Sequence, residues 1–303
     1  MTFDVRPMAD ADRPVVARLL AEALRESATA AQRTLEYLDR VTLVHLVAVV
    51  DGQVVGRSSV ARPPMLPEGT VALNVGVTGP YRGRGVGAAL FDQAARAVPP
   101  GTGRVLGFSD DRDDPAVLPW LDRRHFEPFQ HSIASELDLT SGRPDVPVPA
   151  DVTIRVVDPL SARDDAAVAR LYADSDTSPE ADEIGETTWS TQLDAAAAGG
   201  TGGRLVLLDV AGVPVAMSLA QQESDTDWEV HYTGVHPSAR GRGLARVAKA
   251  ALHNDLVRLG ATRLETYNEA GNAGIRHVNA TLGYVRVKGA RRHRRDLAVH
   301  PLA

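Results

Sequence analysis

No feature restricts the fold of this chain more than a long-range repetition. The stretch GVTGPYRGRGVGAALFDQAARAV at 76–98 returns as GVHPSARGRGLARVAKAALHNDL at 234–256. Arg82 and Arg240 open the two Arg-Gly-Arg-Gly turns 158 residues apart (240 − 82). The same spacing links RHF at 124–126 to LGY at 282–284, and LDL at 137–139 to RDL at 295–297. Matched features at one constant offset mean internal duplication. A 303-residue chain then divides into two domains of ordinary size. The boundary falls in TSGRPDVPVPADV, where Pro144, Pro147 and Pro149 favour an extended, semi-rigid linker. The expected organisation is a first copy over 1–140, a linker over 141–152 and a second copy over 153–303.

Both copies read in the same order. DRPVVARLLAEAL places Val16, Leu19, Leu20, Ala23 and Leu24 on one helical face, and DDAAVARLY begins the matching helix. HLVAVVDGQVVG and RLVLLDVAGVPVAM are apolar runs broken at Asp51-Gly52 and Ala211-Gly212, the pattern of β-hairpins. A strand feeds each Arg-Gly turn. After the second turn Leu244, Val247, Ala248, Ala251, Leu252 and Leu259 form a helical stripe closed by Gly260, a good residue for a helix C-terminus. RLETYN then reads as a strand, NAGIRHVNATL as a short helix, and terminal strands complete the unit. Each half is therefore α/β, with helices before and after a central mixed sheet.

Composition narrows the function classes. A formal charge of −6 and a pI near 5.9 argue against a general binder of nucleic acid or membrane surfaces. The one dense basic run, RRHRRD at 291–296, reads as a solvated terminal strand edge. The absence of cysteine excludes disulfides, thiolate metal sites and a cysteine nucleophile. His236 and His253 lack partners at metal-ligand spacing, so no metal is expected. MTFDVRPMAD has neither a basic nor an apolar leader region, and no apolar run approaches membrane-spanning length, so a cytoplasmic protein is expected. Only two lysines, Lys249 and Lys288, stand among many arginines.

The repeated turn carries chemistry. Small residues let the backbone approach a ligand closely, while amides in the first turn of the following helix lack intrahelical partners. Together with the helix dipole they form a phosphate cradle, with Arg82, Arg84, Arg240 and Arg242 adding charge. A dinucleotide-fold fingerprint fits Gly83 to Ala88, but the second copy breaks it at Arg246, and neither copy opens its domain on this element. A plain tight turn is the simpler alternative.

V-H-P-S-A-R-G-R-G-L-A at 235–245 resembles motif A of the GCN5-related N-acetyltransferases (GNAT), V-x-P-x-x-R/Q-x-x-G-x-G/A. N-x-x-x-N…L-G-Y at 268–284 resembles their motif B. The first copy matches as V-T-G-P-Y-R-G-R-G-V-G, with Gly79 where proline is usual. The resemblance covers essentially the whole chain as a tandem pair, an arrangement like that of mycothiol synthase. It implies two GNAT-fold domains, each with a mixed, mostly antiparallel central sheet flanked by helices. It further implies a V-shaped opening between the motif A strand and the next strand, which takes the arm of acetyl-CoA or another acyl-CoA. The contacts implied in the second copy are Val235, Arg240, Gly241, Arg242, Gly243, Leu244 and Ala245, with Asn268 and Asn272 as polar partners. Backbone amides near Gly234 and Val235 would hold the thioester carbonyl. In the first copy the corresponding contacts are Val77, Arg82, Gly83, Arg84, Gly85, Val86 and Gly87.

Acyl transfer to an amine requires removal of a proton from a group that is protonated at neutral pH, a task for a carboxylate or its ordered water. WEVHYTGVHP offers Glu229, His231 and Thr233 on one strand face by the period of two. Glu229 occupies the position where GNAT enzymes commonly carry the general base; Val71 stands there in the first copy. The family's usual motif B tyrosine is replaced by Asn279, and by Leu121 in the first copy. Tyr232, Tyr267 and Tyr284 are the candidate acids, with Tyr267 preferred, and departure of an unprotonated thiolate is the alternative. In the first copy DDRDDPAVLPW at 110–120 replaces the asparagine pattern. The expectation is an acetyl-CoA-dependent N-acetyltransferase acting directly on a small-molecule amine, monomeric or homodimeric, with a catalytically degenerate first copy and no nucleic-acid or membrane partner. Another acyl group, a hydroxyl acceptor, or a non-catalytic CoA-binding module are the alternatives.

Overall fold

The two hairpin signals form as the sequence demands. Asp51 and Gly52 take φ of 48° and 78°, Ala211 and Gly212 take 50° and 79°, the double positive-φ conformation that matches the twist of paired strands. In the computed structural model, residues 2–24, 28–64, 66–110, 115–175, 188–197 and 202–302 are described. Strands are numbered β1 to β12 and α-helices α1 to α8 in chain order.

The first unit contains Met1–His131 and Gly289–Ala303. Its strands β1 (Asp4–Pro7), β2 (Thr42–Val50), β3 (Gln53–Ala61) and β4 (Thr70–Val77) pair antiparallel in sequence order. Strand β5 (Arg104–Asp110) runs parallel to β4, and residues 290–296 of β12 (Val285–Asp296) pair antiparallel with β5. Helices α1 (Arg13–Leu24) and α2 (Ala28–Val41) pack around Val16, Leu20, Leu35 and Val47. The opposite core joins α3 (Val86–Ala95) and α4 (Val117–Asp122) to the sheet through Leu90, Phe91, Leu121 and Phe126. Residues 111–114 of the first copy's DDRDDPAVLPW stretch lie outside the described residues.

The second unit contains Ser132–Asp182 and Glu186–Lys288. Strands β7 (Val152–Val157), β8 (Gly203–Val210), β9 (Val213–Gln222) and β10 (Asp227–Val235) are antiparallel neighbours. Strand β11 (Arg263–Glu269) runs parallel to β10, and residues 132–138 of β6 (Glu127–Asp138) pair antiparallel with β11. Helices α5 (Ala166–Ser175) and α6 (Trp189–Ala197) cover one face around Leu171, Leu193, Leu207 and Met217. The other face is covered by α7 (Leu244–Arg258), whose Leu244, Val247, Ala248, Leu252 and Leu256 are buried, with Val278 of α8 (Ala273–Thr281) packed against the same core. Each fully buried leucine of this stripe stabilises the unit by about 1.5–3 kcal/mol.

Both units are therefore α/β, and among the described strand pairings within each unit all but one are antiparallel. The last strand of each sequence copy completes the sheet of the unit built from the other: residues 132–138 pair with β11 and residues 290–296 with β5. The linker's Val146 packs on the second unit's core. The run RRHRRD is not a solvated edge. It is paired along β5, His293 is buried with its Nε2 2.9 Å from Ser109 Oγ, and buried Arg295 donates to the carbonyls of His300 and Pro301.

Helix ends repeat between units. Helix α8 closes with Tyr284 N–H donating to the Asn279 carbonyl and Gly283 N–H to that of Ala280, around Gly283 at φ 92°. Helix α4 closes identically, Phe126 to Leu121 and His125 to Asp122, with His125 at φ 58°. This paired-bond closure requires a left-handed residue just past the helix. The matching geometry places residues 158 apart at equivalent positions.

Candidate active site

The parallel strands at the centre of the second unit separate. β10 and β11 are paired from Asp227–Arg263 to Val230–Thr266, where Thr266 Oγ1 also donates to the Val230 carbonyl at 3.3 Å. Beyond that rung β10 continues along β9 to Val235 and β11 along β6 to Glu269, with no pairing between them. Backbone groups on the facing edges are thus left to a ligand. In the first unit β4 and β5 pair only over Thr70–Ala72 and Arg104–Leu106 before running on separately.

A short 3₁₀ turn joins β10 to the Arg-Gly turn. Gly241 and Gly243 adopt φ of 78° and 74°, as do Gly83 and Gly85 at 71° and 87°. This left-handed backbone disfavours any residue with a Cβ. A Cβ built at any of the four meets nothing within 4 Å, so the glycines border open space. Gly243 then caps α7 without a side-chain hydrogen bond, and Gly85 caps α3 in the same way. The amides of Leu244 and Ala245, and of Val86 and Gly87, belong to first helical turns, whose donors have no intrahelical acceptor. A diphosphate group fits this set of donors.

The four arginines of the turns do not act alike. Arg240 Nε donates to the Val235 carbonyl at 3.2 Å, and Arg82 Nε to the Val77 carbonyl at 2.9 Å. The first arginine of each turn therefore ties the turn to the end of its strand. Arg242 is paired with Asp151 at 2.7 Å, an exposed ion pair; Arg84 forms no ion pair among the described residues.

Strand β10 departs from simple alternation. Its register against β9 shifts between Val230 and Tyr232, a bulge at His231. Trp228 and Val230 face α7, while Tyr232 packs on the α5 and α6 core. Thr233, expected beside Glu229 and His231, turns to the α7 face, its Oγ1 3.0 Å from Ser218 Oγ. A bulge inserts one residue and moves every later side chain to the other face. Glu229, His231 and Glu223 come together, with one ligand-capable atom from each lying within 4.8 Å of the others. Burial pushes the His231 imidazole down to about 4, so it is neutral at neutral pH. Two carboxylates thus lie beside an uncharged imidazole.

The three candidate tyrosines are separated. Tyr232 Oη is 2.9 Å from Ser175 Oγ under α5. Tyr284 is buried with its hydroxyl 2.9 Å from His253 Nε2, and desolvation raises its pKa well above the ordinary value. Tyr267, on the part of β11 beyond its pairing with β10, is 37% exposed with Lys288 Nζ 5.3 Å from its ring centroid. Asn272 caps α8, accepting from Ile275 N–H at 3.1 Å. Asn268 accepts from Asn279 Nδ2 at 2.6 Å.

Sequence reading missed what lies behind Asn268. Lys249, fully buried on α7, donates to Asn279 Oδ1 at 2.7 Å, and its Nζ lies 4.7 Å from the Tyr284 ring centroid. Burial holds this ammonium down to about 7, and His253 down to about 3. The internal alignment held the signal: residue 249 is lysine where its counterpart in the first copy is Phe91.

Comparison with known proteins agrees with this geometry. Residues 166–284 match the model of the Acetyltransferase (GNAT) family. A GCN5-related N-acetyltransferase from Sphaerobacter thermophilus is 18% identical, with a TM-score of 0.77 over 97% of this chain and 96% of that one. A tandem GNAT protein from the clavulanic acid biosynthesis pathway is 19% identical, with a TM-score of 0.70 over 97% and 98%. The chain is a tandem GNAT-fold protein. A GCN5-related N-acetyltransferase from Kribbella flavida is 18% identical, with a TM-score of 0.55 over 92% of this chain and 95% of that one. No curated protein sequence matched. The residues matched by the family model, 166–284, lie in the second unit. Among the described residues no helix is long and apolar enough to cross a membrane.

Proposed function

We propose that this tandem GNAT protein is an N-acetyltransferase that transfers the acetyl group of acetyl-CoA directly to a primary amine of a small molecule. The observation that carries the reading is the separation of β10 from β11 beyond Val230 and Thr266, directly beside a carboxylate cluster. Acetyl-CoA would supply the activated thioester. Gly241, Arg242, Gly243, Leu244 and Ala245 would hold its diphosphate on backbone amides, with Val235 and Asn268 along the opening. Arg240 supports the turn. Asn272, whose side chain caps α8, would contribute through its place at the start of that helix.

Glu229 sits on the last rungs before the strands part, opposite Glu265 in register. An incoming ammonium would be held by Glu223 and Glu229 and would lose its proton to the Glu229 carboxylate, leaving a neutral amine beside the thioester. Burial keeps His231 neutral beside that pair, so the imidazole brings no positive charge of its own to the site. Tyr267, exposed on the part of β11 beyond its pairing with β10, is assigned as the proton donor to the departing thiolate. The first unit keeps the phosphate turn of Val77, Arg82, Gly83, Arg84, Gly85, Val86 and Gly87, but carries Val71 where a base is needed. We assign it a binding or structural role without turnover, in a cytoplasmic monomer or homodimer.

The test is release of free thiol from acetyl-CoA in the presence of pooled small amines. The wild type should release thiol, and Glu229→Gln should lower kcat by about 10²–10⁴-fold, the usual contribution of a general base. Binding of acetyl-CoA with no amine-dependent thiol release, or a Glu229→Gln rate equal to wild type, would overturn the assignment.

A further inference from the structure

The second unit contains a chain of polar side chains that the fold itself does not require. It starts at Lys249 on α7, passes through Asn279 on α8 and ends at Asn268 on β11, with contacts of 2.7 and 2.6 Å. Lys249 is 0% exposed and Asn279 is 3% exposed. Burying an ammonium is expensive even when it is hydrogen-bonded, and apolar replacements of similar volume commonly stabilise a core. The molecule contains that replacement. At the positions equivalent to Lys249, Asn279 and Tyr284, the first unit has Phe91, Leu121 and Phe126. All three are buried in one apolar cluster, with the Phe91 and Phe126 rings edge-on at 6.1 Å. The same helices and the same left-handed helix closure form around both sets.

The polarity of the chain has a direction. An ammonium only donates, so it fixes the Asn279 carboxamide with Oδ1 toward Lys249 and Nδ2 away from it. Asn279 Nδ2 then donates to Asn268 Oδ1, and this leaves the Asn268 Nδ2 hydrogens as the free end of the chain. Asn268 lies two residues beyond the last β10–β11 rung, where β11 pairs only with β6, and its Nδ2 has no protein acceptor among the described residues. We propose that Lys249 is a positioning residue that acts through Asn279 to present the Asn268 carboxamide N–H to a carbonyl oxygen of the acyl-CoA arm. The assignment rests on the acyl-CoA reading of the opening. Without the ammonium, either carboxamide can rotate and offer an oxygen instead, which repels the carbonyl. Burial lowers the pKa of Lys249 to about 7, the direction expected for an ammonium held out of water.

The test compares Lys249→Met, Asn268→Ala and a triple variant, Lys249→Phe with Asn279→Leu and Tyr284→Phe, which copies the packing of the first unit. Each full-length protein is titrated with CoA and assayed for the KM of acetyl-CoA and of the amine. The triple variant should unfold at or above the wild-type temperature, yet bind CoA at least about tenfold more weakly, with the donor KM raised and the amine KM within about twofold, a loss of about 1.4 kcal/mol of donor binding. Asn268→Ala should show the same split, and adding it to the triple variant should cost no further affinity. A triple variant that folds and binds CoA like the wild type would overturn the proposal while leaving the acyl-CoA reading in place. So would a donor KM and an amine KM that rise together. A wild type that fails to bind CoA would remove both.

Discussion

The two units share a backbone plan and differ in what they bury. Both have a parallel strand pair that separates, two left-handed glycines after it, and an arginine that ties the turn to its strand. One fills the region behind the opening with Phe91, Leu121 and Phe126; the other fills it with Lys249, Asn279 and Tyr284, with Glu229 replacing Val71 on the strand. The shared parts are those the fold and a phosphate group need. The parts that differ are those to which we assign the chemistry, because a stable apolar solution for the same positions exists in the same chain.

The largest expected break in this comparison comes from the glycines. Gly243→Val and Gly85→Val each force a β-branched residue into left-handed backbone and should each destabilise by about 1–2 kcal/mol. Their effects on function should separate. Gly243→Val should weaken acetyl-CoA binding by about tenfold or more and reduce turnover with it, while Gly85→Val should leave kcat/KM unchanged. Equal losses from both, measured by thiol release and thermal unfolding, would mean that the units share the work.

A smaller effect sharpens the contrast through pH. Lys249 has a pKa of about 7 in the folded protein against 10.5 for its ordinary value. Between those limits the unfolded chain binds more protons, so this residue makes stability rise with pH and lowers it again as pH falls through the window. The slope is at most about 1.4 kcal/mol per pH unit. Phe91 contributes no such term. The urea midpoint of the wild type should therefore gain more between pH 7 and 9.5 than that of Lys249→Met; parallel curves would show that Lys249 keeps an ordinary pKa.

Much of this was legible in the sequence because it depends on local rules. The glycine turns, the hairpins at Asp51-Gly52 and Ala211-Gly212 and the helix end at Gly260 follow from backbone preferences of single residues. The bulge at His231 was not legible, since an inserted residue leaves no compositional trace, and it sent Thr233 to the other face. The pairing of residues 132–138 and 290–296 was hidden because strand partners are set by tertiary contacts. Lys249 was hidden for a different reason. A lysine beside an apolar helical stripe reads as solvated, and only its equivalence to a buried phenylalanine marks it otherwise.

The most direct measurement is hydrogen exchange of the full chain with and without CoA. Amides of 234–245 and 266–269 should be protected by CoA in the wild type and lose that protection in Gly243→Val. Unchanged exchange across those segments at saturating CoA, or protection confined to 82–87, would contradict the placement of the acyl donor in the second unit.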